Sequence, residues 1–468
     1  MSSTFTSFNT AVSGLMAAQR ALDATGQNVV NANTPGYSRQ RVGLATSGPA
    51  TSATFHTGPA GSYGGVTVTD VTRVRDAFME ATRAAAGSRQ SALTAQTGAL
   101  AGAERLLSEP GDSGLQQTLD QFYAGWHDVA GHADDPSGAG SVVIQRGIAV
   151  AEQLRAVSNG LSREWTNSRA NLADVVSQVN QGASDLAQLN AKIRAGAVAG
   201  TATNELADSR DLLVRRLGEL VGAQAMAGDD GQLTVSVNGI AIVSGSTAQT
   251  LTLTGGSDIS TAASDPPTVR WGATAVPIDS GAAAGHLAAL RGDLPGLKDR
   301  LDGVATVLRD AVNGVHAQGY NRAGNTGLDF FTGTGAGDLE VAVSDPLQLA
   351  LSATAGTVDG SVARRIGDLA DDFTASTVLG GPGPSARWRQ LTSSLGVQLQ
   401  SLKSAGTVQQ GVVAAAEDAV QSSAGVNLDE EMSNMLLFQR AYQASARVLT
   451  TVDEMLDTLI NRTGMVGR

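Results

Sequence analysis

The chain has 468 residues, of which 32 are basic and 44 acidic, so its formal net charge at pH 7 is −12. A net acidic chain without a cluster of Lys and Arg is a poor ligand for nucleic acid or for an anionic membrane surface, because both require a basic face. Cysteine is absent, which excludes disulfides, thiolate zinc sites and cysteine nucleophiles.

The N-terminus has neither a positively charged segment nor a continuous apolar segment of the kind found in cleavable signal peptides. No run approaches the roughly 18 apolar residues that a membrane-spanning helix needs. We therefore expect a soluble chain without a Sec-type signal.

The first predicted element is an amphipathic helix over residues 8–31, preceded by a frayed Ser/Thr-rich segment at residues 2–7. Its apolar residues recur in steps of three, four or seven, the spacing of a coiled-coil seam. These residues are Phe8, Val12, Leu15, Leu22 and Val29. The turn that follows, at residues 31–40, contains Pro35 and Gly36, which together end a helix.

Residues 41–71 are predicted to form a hairpin or extended excursion, with a strand at residues 66–69. Helices are then predicted at residues 74–107, 115–129, 141–195 and 204–221. The third of these would be a rod of about 80 Å at ~1.5 Å per residue. Such a helix needs a partner along its apolar stripe.

The composition becomes strand-like between residues 223 and 278. Alternating runs at residues 233–237, 240–243, 251–253 and 269–271 are separated by turn signals, and Asn238-Gly239 predicts a tight hairpin. This segment predicts a small β domain inserted into the helical rod.

Helices resume at residues 285–316 and 387–424, separated by a Gly-rich loop with a strand near Val341 and Val343. The last predicted helix covers residues 427–461, with Asn427 as its N-cap. Its apolar stripe consists of Leu428, Met432, Met435, Tyr442, Leu449, Val452, Leu456 and Leu459, with Phe438 beside it. The acids Glu430, Glu431, Asp453, Glu454 and Asp457 are interpreted as a solvated face. In a stacked assembly Arg440, Arg447 and Arg462 could instead pair with acids of a neighbouring copy.

The predicted fold is therefore mainly α with an inserted β domain. A long-helix rod runs out and back, the N- and C-terminal helices pair as a coiled coil at one end, and the β domain lies at the other end. Residues 1–40 and 425–468 would be the two halves of a terminal helical domain. Residues 41–222 and 285–424 would be the outgoing and returning parts of the rod, and residues 223–284 the β domain.

No catalytic or metal site is predicted. None of the five histidines stands at metal-ligand spacing from an acid. Residues 111–114 resemble the nucleophile segment of trypsin-like proteases, but Ser113 lacks a suitable histidine base, so helix capping is the better interpretation. The loop at residues 321–327 lacks the acids of a calcium site. We expect no cofactor and no enzymatic activity.

Both ends of the chain resemble the rod, hook and hook-associated proteins of the bacterial flagellum. The N-terminal resemblance rests on Leu22, Asn28, Val29, Asn31, Asn33, Thr34, Gly36, Tyr37 and Arg39, and the motif turn also includes Pro35. The C-terminal resemblance rests on residues 426–432 and 438–448. The interior segments at residues 208–221 and 316–333 are similar to the family of flagellar hook-associated protein 1.

The resemblance implies a structural subunit that is exported by the flagellar type III apparatus without a cleaved signal. It implies assembly into a ring or helical layer that joins the hook protein to a second junction protein, outside the cell. It also implies a cytosolic export chaperone that binds the C-terminal helix. The chain is short for this family, and the resemblance is loose in the β region.

The two apolar stripes are accordingly predicted to be subunit interfaces, and the C-terminal stripe also the chaperone site. Two alternatives remain open from the sequence. The chain could be another axial subunit, namely the hook protein or the second junction protein, or it could be a secreted coiled-coil adhesin.

Overall fold

The computed structural model of the protein describes residues 2–47, 64–107, 111, 114–228, 231–371, 375 and 380–458. Helix α1, Ser2–Val30, starts six residues earlier than predicted, so the expected fraying of residues 2–7 is wrong. Once a helix has nucleated, each added residue gains a backbone hydrogen bond at little further cost, and the Ser/Thr-rich start continues the helix.

A hairpin follows α1. Strand β1, Gln40–Thr46, pairs antiparallel with β2, Val66–Arg73. Strand β2 contains the strand that the sequence predicted at residues 66–69. The hairpin packs on α1, where the Ser13 hydroxyl accepts a hydrogen bond of 3.2 Å from the amide of Val66.

The outgoing rod consists of α2, Ala77–Leu107, α3, Leu115–Ala130, α4, Ser137–Ala199, and α5, Asn204–Val221. Helix α4 has 63 residues and is therefore about 95 Å long at ~1.5 Å per residue. Helix α2 runs antiparallel to α4, because Gly102 faces Glu164 and Leu106 faces Gly160. Helix α4 is thus the spine on which the other rod elements pack.

The β region comprises β3, Gln224–Ala227, β4, Leu233–Val237, β5, Ile240–Ser244, β6, Thr247–Ala248, β7, Leu251–Thr254, β8, Thr268–Trp271, and β9, Thr274–Ala275. Strands β3 to β6 form one antiparallel sheet and β7 to β9 another. The predicted tight hairpin joins β4 to β5, with positive φ at both Asn238 and Gly239. A 3₁₀ turn, Ile259–Thr261, lies between the last two long strands.

The position of the β region differs from the prediction. It lies beside the C-terminal half of α4, where Asn180 exchanges two backbone hydrogen bonds with Leu251 and Asn190 exchanges two with Leu233. Helix α5 returns only part of the way along α4 before the chain enters β3, since Gly182 lies against Leu217. The β region therefore sits towards the same end of the rod as the chain termini.

The returning helix is also interrupted, contrary to the prediction of one helix over residues 285–316. Helix α6, Ala282–Ala288, leads into a π-helical turn, Ala289–Asp293, and then into α7, Leu294–His316. Pro295 has no amide proton and its ring clashes with the carbonyl four residues earlier, so a wider turn precedes it.

The opposite end of the rod is formed by α3, the short strands β10, Phe331–Thr332, and β11, Glu340–Val341, and helix α8, Ser361–Gly367. Two 3₁₀ turns, Pro346–Gln348 and Asp368–Ala370, lie beside them. An aromatic cluster fills this end and consists of Phe122, Tyr123, Trp126, Phe330 and Phe331.

Helices α9, Pro384–Ala424, and α10, Leu428–Asp457, complete the chain. The side chain of Asn427 caps α10 as predicted, accepting a hydrogen bond from the amide of Asp429. The structure therefore confirms a mainly helical protein with long terminal helices and a small inserted sheet region. Among the described residues, no helix has the length and apolarity needed to cross a bilayer.

A buried histidine in α7 predicts acid sensitivity of the fold. His316 is fully buried; its Nδ1 donates to the Leu328 carbonyl at 2.7 Å, and its Nε2 accepts from the Ala350 amide at 3.0 Å. Burial lowers the pKa of His316 from 6.5, against smaller opposing effects of the Leu328 carbonyl and of Asp329. The unfolded state therefore binds the proton first, and stability is lost as the pH falls below 6.5.

We expect the free energy of unfolding, measured by urea titration, to fall by at most about 1.4 kcal/mol per pH unit through this group. His316→Gln should remove that part of the slope, because an amide can keep one donor and one acceptor without titrating. His286 retains its own contribution, since burial also lowers its pKa. His132→Gln, at an exposed histidine, is the control. An unchanged slope in His316→Gln would contradict the assignment.

Candidate functional site

The first and last helices lie antiparallel against each other. A Cβ placed on Gly14 would lie 3.0 Å from the Ser445 hydroxyl, and the Asn28 amide nitrogen lies 3.0 Å from a Glu431 carboxylate oxygen. These two contacts are two heptads apart on α1. The heptad positions around them carry small or polar side chains, and Ala11, Ala18, Ala21, Thr25 and Asn28 are buried. The face of α1 towards α10 is therefore a seam of small residues.

The apolar stripe predicted on α1 lies one position further round the helix. All five of its members are half-buried, and they are Phe8, Val12, Leu15, Leu22 and Val29. The small seam was missed because alanine and glycine give a weak hydrophobic signal, although their heptad spacing from residue 11 to residue 28 was visible in the sequence.

The stripe predicted on α10 is divided by the structure. Val452 is buried, and Met435, Phe438, Leu449 and Leu456 are half-buried. Leu428, Met432 and Tyr442 are exposed, and Leu459 lies outside the described residues. Large side chains of α10 thus lie on the small seam of α1, while part of the stripe remains open.

A second apolar stripe runs along a neighbouring face of α10, about 100° round the helix from the side that faces α1. Its large members, Leu437, Val448 and Met455, are exposed by 61%, 48% and 47%. The intervening positions on this face are Ala441, Ala444 and Thr451, at the same alternation of three and four residues. We call these six residues the outer stripe. In the isolated chain about half or more of each of its large side chains is open to solvent.

Asn28 joins three parts of the motif. Its Oδ1 accepts hydrogen bonds of 2.8 Å from both the Gln40 amide and the Tyr37 hydroxyl. Its Nδ2 donates to the Gln40 carbonyl at 2.9 Å and to Glu431 at 3.0 Å. All four hydrogen-bonding positions of the amide are used, which is its full capacity. Asn28 therefore ties the end of α1 to the start of β1 and to the first turn of α10.

Glu431 is the acid at the centre of this network. Its side chain is 2% exposed, and its Oε1 accepts from Arg39 Nε at 2.8 Å while Oε2 accepts from Asn28. The prediction that Glu431 belongs to a solvated face is wrong. Its neighbour Glu430, paired with Arg39 at 3.1 Å, is 59% exposed. The heptad position of Glu431 could have indicated its burial, because it lies in register with Phe438, Ser445 and Val452 on the side of α10 that faces α1.

Ion pairs extend the network from the hairpin to the rod. Arg73 at the end of β2 contacts Asp208 at 2.9 Å and Asp211 at 2.6 Å, both on α5. Arg75 also pairs with Asp211 and, at 3.3 Å, with Glu80 of α2. Because these groups are mostly shielded from solvent, their attraction is screened less than that of surface pairs. The hairpin is thereby fixed to α5 and α2.

Burial changes the ionisation of the same groups. It raises the pKa of Tyr37 to about 12, with further contributions from Asp208, Glu431 and Glu205. Burial also lowers the pKa of Arg210 to about 10, aided by the positive charges of Arg73 and Arg75. Tyr37 thus stays a neutral donor to Asn28 at physiological pH.

The rest of the motif forms the turn. The Thr34 amide donates a hydrogen bond of 2.9 Å to the Asn31 carbonyl, and the Tyr37 amide donates one of 3.1 Å to the Thr34 carbonyl. Gly36 has a φ of 83°, which favours glycine, and it packs on Leu212 of α5. Asn33, Thr34, Pro35 and Gly36 are exposed and line a cleft of about 260 Å³. The structure therefore brings Asn28, Tyr37 and Arg39 into one network and leaves the tip of the turn open.

The hydrogen bonds and ion pairs of this arrangement fix α1, the hairpin, α5 and α10 relative to one another. Its carboxylates are matched with guanidinium groups and its amides with backbone groups. No cluster of three side chains suited to a metal ion occurs in the described ranges. Asp112 and Ser113, the segment compared with a protease nucleophile, lie outside the described residues.

Three segments match family models. Residues 8–37 match the flagella basal body rod protein family, residues 100–331 the helical domain of flagellar hook-associated protein FlgK, and residues 419–462 the C-terminal family of flagellar basal body rod FlgEFG proteins. The two terminal matches contain the motif turn and the α10 helix described above.

Whole-chain relatives agree with these segments. Flagellar hook-associated protein 1 of Bacillus subtilis strain 168 is 31% identical, with all of both chains covered. The protein of the same name from Salmonella typhimurium strain LT2 is 27% identical, covering 97% of this chain and 99% of the relative. That alignment runs over 560 positions, more than the 468 residues here, so the Salmonella protein contains segments without a counterpart.

A solved structure has the same fold. The flagellar hook junction protein FlgK from Burkholderia pseudomallei superposes with a TM-score of 0.64 at 16% identity, covering 73% of this chain and all of that one.

The Asn28 network predicts a specific loss of stability. Asn28→Ala leaves Oε2 of Glu431 and the backbone groups of Gln40 without their hydrogen-bond partners in a buried site, which should cost about 1–3 kcal/mol of unfolding free energy. Thermal and urea denaturation measure it. Asn33→Ala, at an exposed position of the same turn, is the matched control and should be neutral. Equal effects of the two variants would contradict the network.

Tyr37 predicts a loss of stability at high pH. Its folded pKa of about 12 exceeds the ordinary value of 10, so its stabilising effect is complete below pH 10 and is lost as the pH rises towards 12. Absorbance titration should show one tyrosine that ionises late, and Tyr37→Phe should abolish that late step. A late step that persists in Tyr37→Phe would assign it to another tyrosine.

Proposed function

The chain belongs to the flagellar hook-associated protein 1 family, and we propose that it is a structural subunit of the bacterial flagellum that joins the hook to the filament. The observation that carries the proposal is the pair of terminal helices, joined at the motif network, with the outer stripe of α10 left uncovered. Members of this family are structural proteins, and catalysis has no place in the proposed role.

The outer stripe supplies the driving force for assembly. Full burial of a Leu, Val or Met side chain is worth about 1.5–3 kcal/mol, and these three are about half-exposed, so each contributes roughly half of that value. The gain arises only when another molecule covers the stripe. Under this proposal the free energy gained by covering the stripe favours addition of a chain to the growing end of an assembly.

Assembly of this kind uses a different surface on each neighbour. A contact between the outer stripe of one copy and the terminal helices of the next is heterologous, so it continues as a ring or a helical layer instead of closing as a dimer. Under this proposal the terminal helices form the inner layer and the rod the next layer. Of the predicted interface residues, those still open to solvent would belong to this contact, whereas Val452 is buried within the chain.

The proposed partners follow from the position at a junction. Besides copies of itself, the chain would contact the hook protein on one side and a second junction protein on the other. Before export by the flagellar type III apparatus, a cytosolic chaperone would cover the apolar residues of α10. The mature location would be the flagellum outside the cell, after a transient cytoplasmic stage. We also keep as proposals the predicted domain boundaries, which are residues 1–40 and 425–468 for the terminal domain, 41–222 and 285–424 for the rod, and 223–284 for the β domain.

The alternatives from the sequence are not favoured. A match across the full length of hook-associated protein 1 relatives favours that family over the hook protein and the second junction protein. The same match, with flagellar families at both termini, gives no support to a secreted adhesin.

The test introduces charge into the outer stripe. Leu437→Asp with Val448→Asp should leave the helix content unchanged but block incorporation, so that cells export the chain into the medium and lack filaments. Charged groups would have to be buried unpaired in the contact, at a cost of several kcal/mol. Immunogold labelling of intact cells and blotting of the medium measure the two outcomes.

Gln443→Asp is the control, because it adds the same side chain at an exposed position on another face of α10. It should support normal filaments. If cells with the double variant grow filaments of normal number and length, the outer stripe is not the polymerising surface.

A further inference from the structure

The small seam of α1 gives the terminal pair little preference for one alignment. A slide of α10 by seven residues moves it about 10 Å along α1. In the shifted position its large side chains again meet alanine and glycine, because residues 11, 14, 18 and 21 of α1 differ by at most a methyl group. Apolar packing alone therefore favours several registers almost equally.

The exception in the seam is the pair of Asn28 and Glu431. In the observed register each polar atom of these groups has a partner, and Arg39 supplies the opposite charge at 2.8 Å. A slide in one direction would place the Glu431 carboxylate over Ala21, which offers no donor. A slide in the other direction would place Phe438 over Asn28 and cover its amide. Both alternatives strand a buried polar group, which is strongly unfavourable.

We propose that Glu431 is the residue that specifies the register of α1 and α10. A single buried polar residue is known to fix alignment in paired helices at some cost in stability. Removing the Glu431 carboxylate leaves one donor of Asn28 without an acceptor in the observed register, but it also removes the group that the first slide would strand over Ala21.

The register matters because it positions the outer stripe. Together with the short link from α9, which ends at Ala424, the contact of Glu431 with Asn28 sets the heights of Leu437, Val448 and Met455 relative to the motif turn. A slide by one heptad would move the stripe about 10 Å relative to the hairpin and the rod. Copies in different registers would then present surfaces that do not match.

The experiment uses the absence of native cysteine. Cβ atoms at Gly14 and Ser445 would lie 3.8 Å apart, which suits a disulfide. The pair Gly14→Cys with Ser445→Cys therefore reports the observed register. The pairs Gly14→Cys with Phe438→Cys and Gly14→Cys with Val452→Cys report slides of seven residues in either direction. Each pair is oxidised in the full-length chain, and the disulfide yield is measured on non-reducing gels.

With Glu431 in place, we expect the observed-register disulfide to dominate and the shifted pairs to stay reduced. With Glu431→Met added, the disulfide of the Gly14→Cys and Phe438→Cys pair should rise at least about tenfold, because the penalty for stranding a buried carboxylate over Ala21 is gone. The Val452→Cys pair should stay reduced, because that slide still covers the Asn28 amide. The urea midpoint of Glu431→Met should fall, because one donor of the buried Asn28 amide loses its acceptor, whereas Arg39 keeps Glu430 as a partner.

Glu430→Met is the matched control, since Glu430 also pairs with Arg39 but is exposed. It should keep a single register, as should Glu431→Gln, which retains an acceptor for Asn28. The proposal is overturned if Glu431→Met keeps the observed register alone. It is also overturned if Glu431→Met forms none of the disulfides, because Glu431 would then be needed for pairing itself. Neither outcome bears on the outer-stripe test of incorporation, so the two proposals fail independently.

Discussion

The arrangement of the chain ends depends on one buried hydrogen bond, which the side-chain amide of Asn28 in the first helix donates to the carboxylate of Glu431 in the last helix. Asn28 and Glu431 are 403 residues apart in sequence, yet they share a hydrogen bond of 3.0 Å. Through Asn28 the same contact holds the start of the hairpin, and through Arg39 it adjoins the motif turn. The ion pairs of Arg73 with Asp208 and Asp211 then fix the hairpin to α5, which is part of the rod.

The rod and the terminal pair are stabilised in different ways. The rod has a continuous core along α4 that includes Trp126, Trp165 and Trp388, all essentially inaccessible to solvent. The terminal pair buries mainly alanine on α1 and, on α10, few side chains completely. Since alanine contributes little apolar area, the ends have a low local stability while the rod stays rigid. Such a division suits a structural subunit whose ends must adapt to neighbouring copies while its body keeps its shape.

Periodicity in the sequence was enough to predict the long helices, because their apolar stripes repeat over many turns, and Asn238-Gly239 was enough for the tight hairpin. The place of the β region was not predictable, since it depends on how far α5 returns along α4. The π-helical turn before Pro295 required attention to one residue within a strong helical pattern. Glu431 was misjudged because an acid in the first turn of a helix already has a local explanation in the helix dipole. Its burial depends on Asn28 and Arg39, which only the tertiary fold brings near.

The antiparallel contact between the two chain ends also sets the order in which the molecule can be completed. The rod contains most of the partners it needs within residues 64–424, but α1 must wait for a segment that begins at residue 428. This pairing cannot occur while the last helix is still being synthesised. The outer stripe is therefore presented at its proper height only after the final helix has emerged and docked, so that an unfinished chain has no completed surface with which to recruit another.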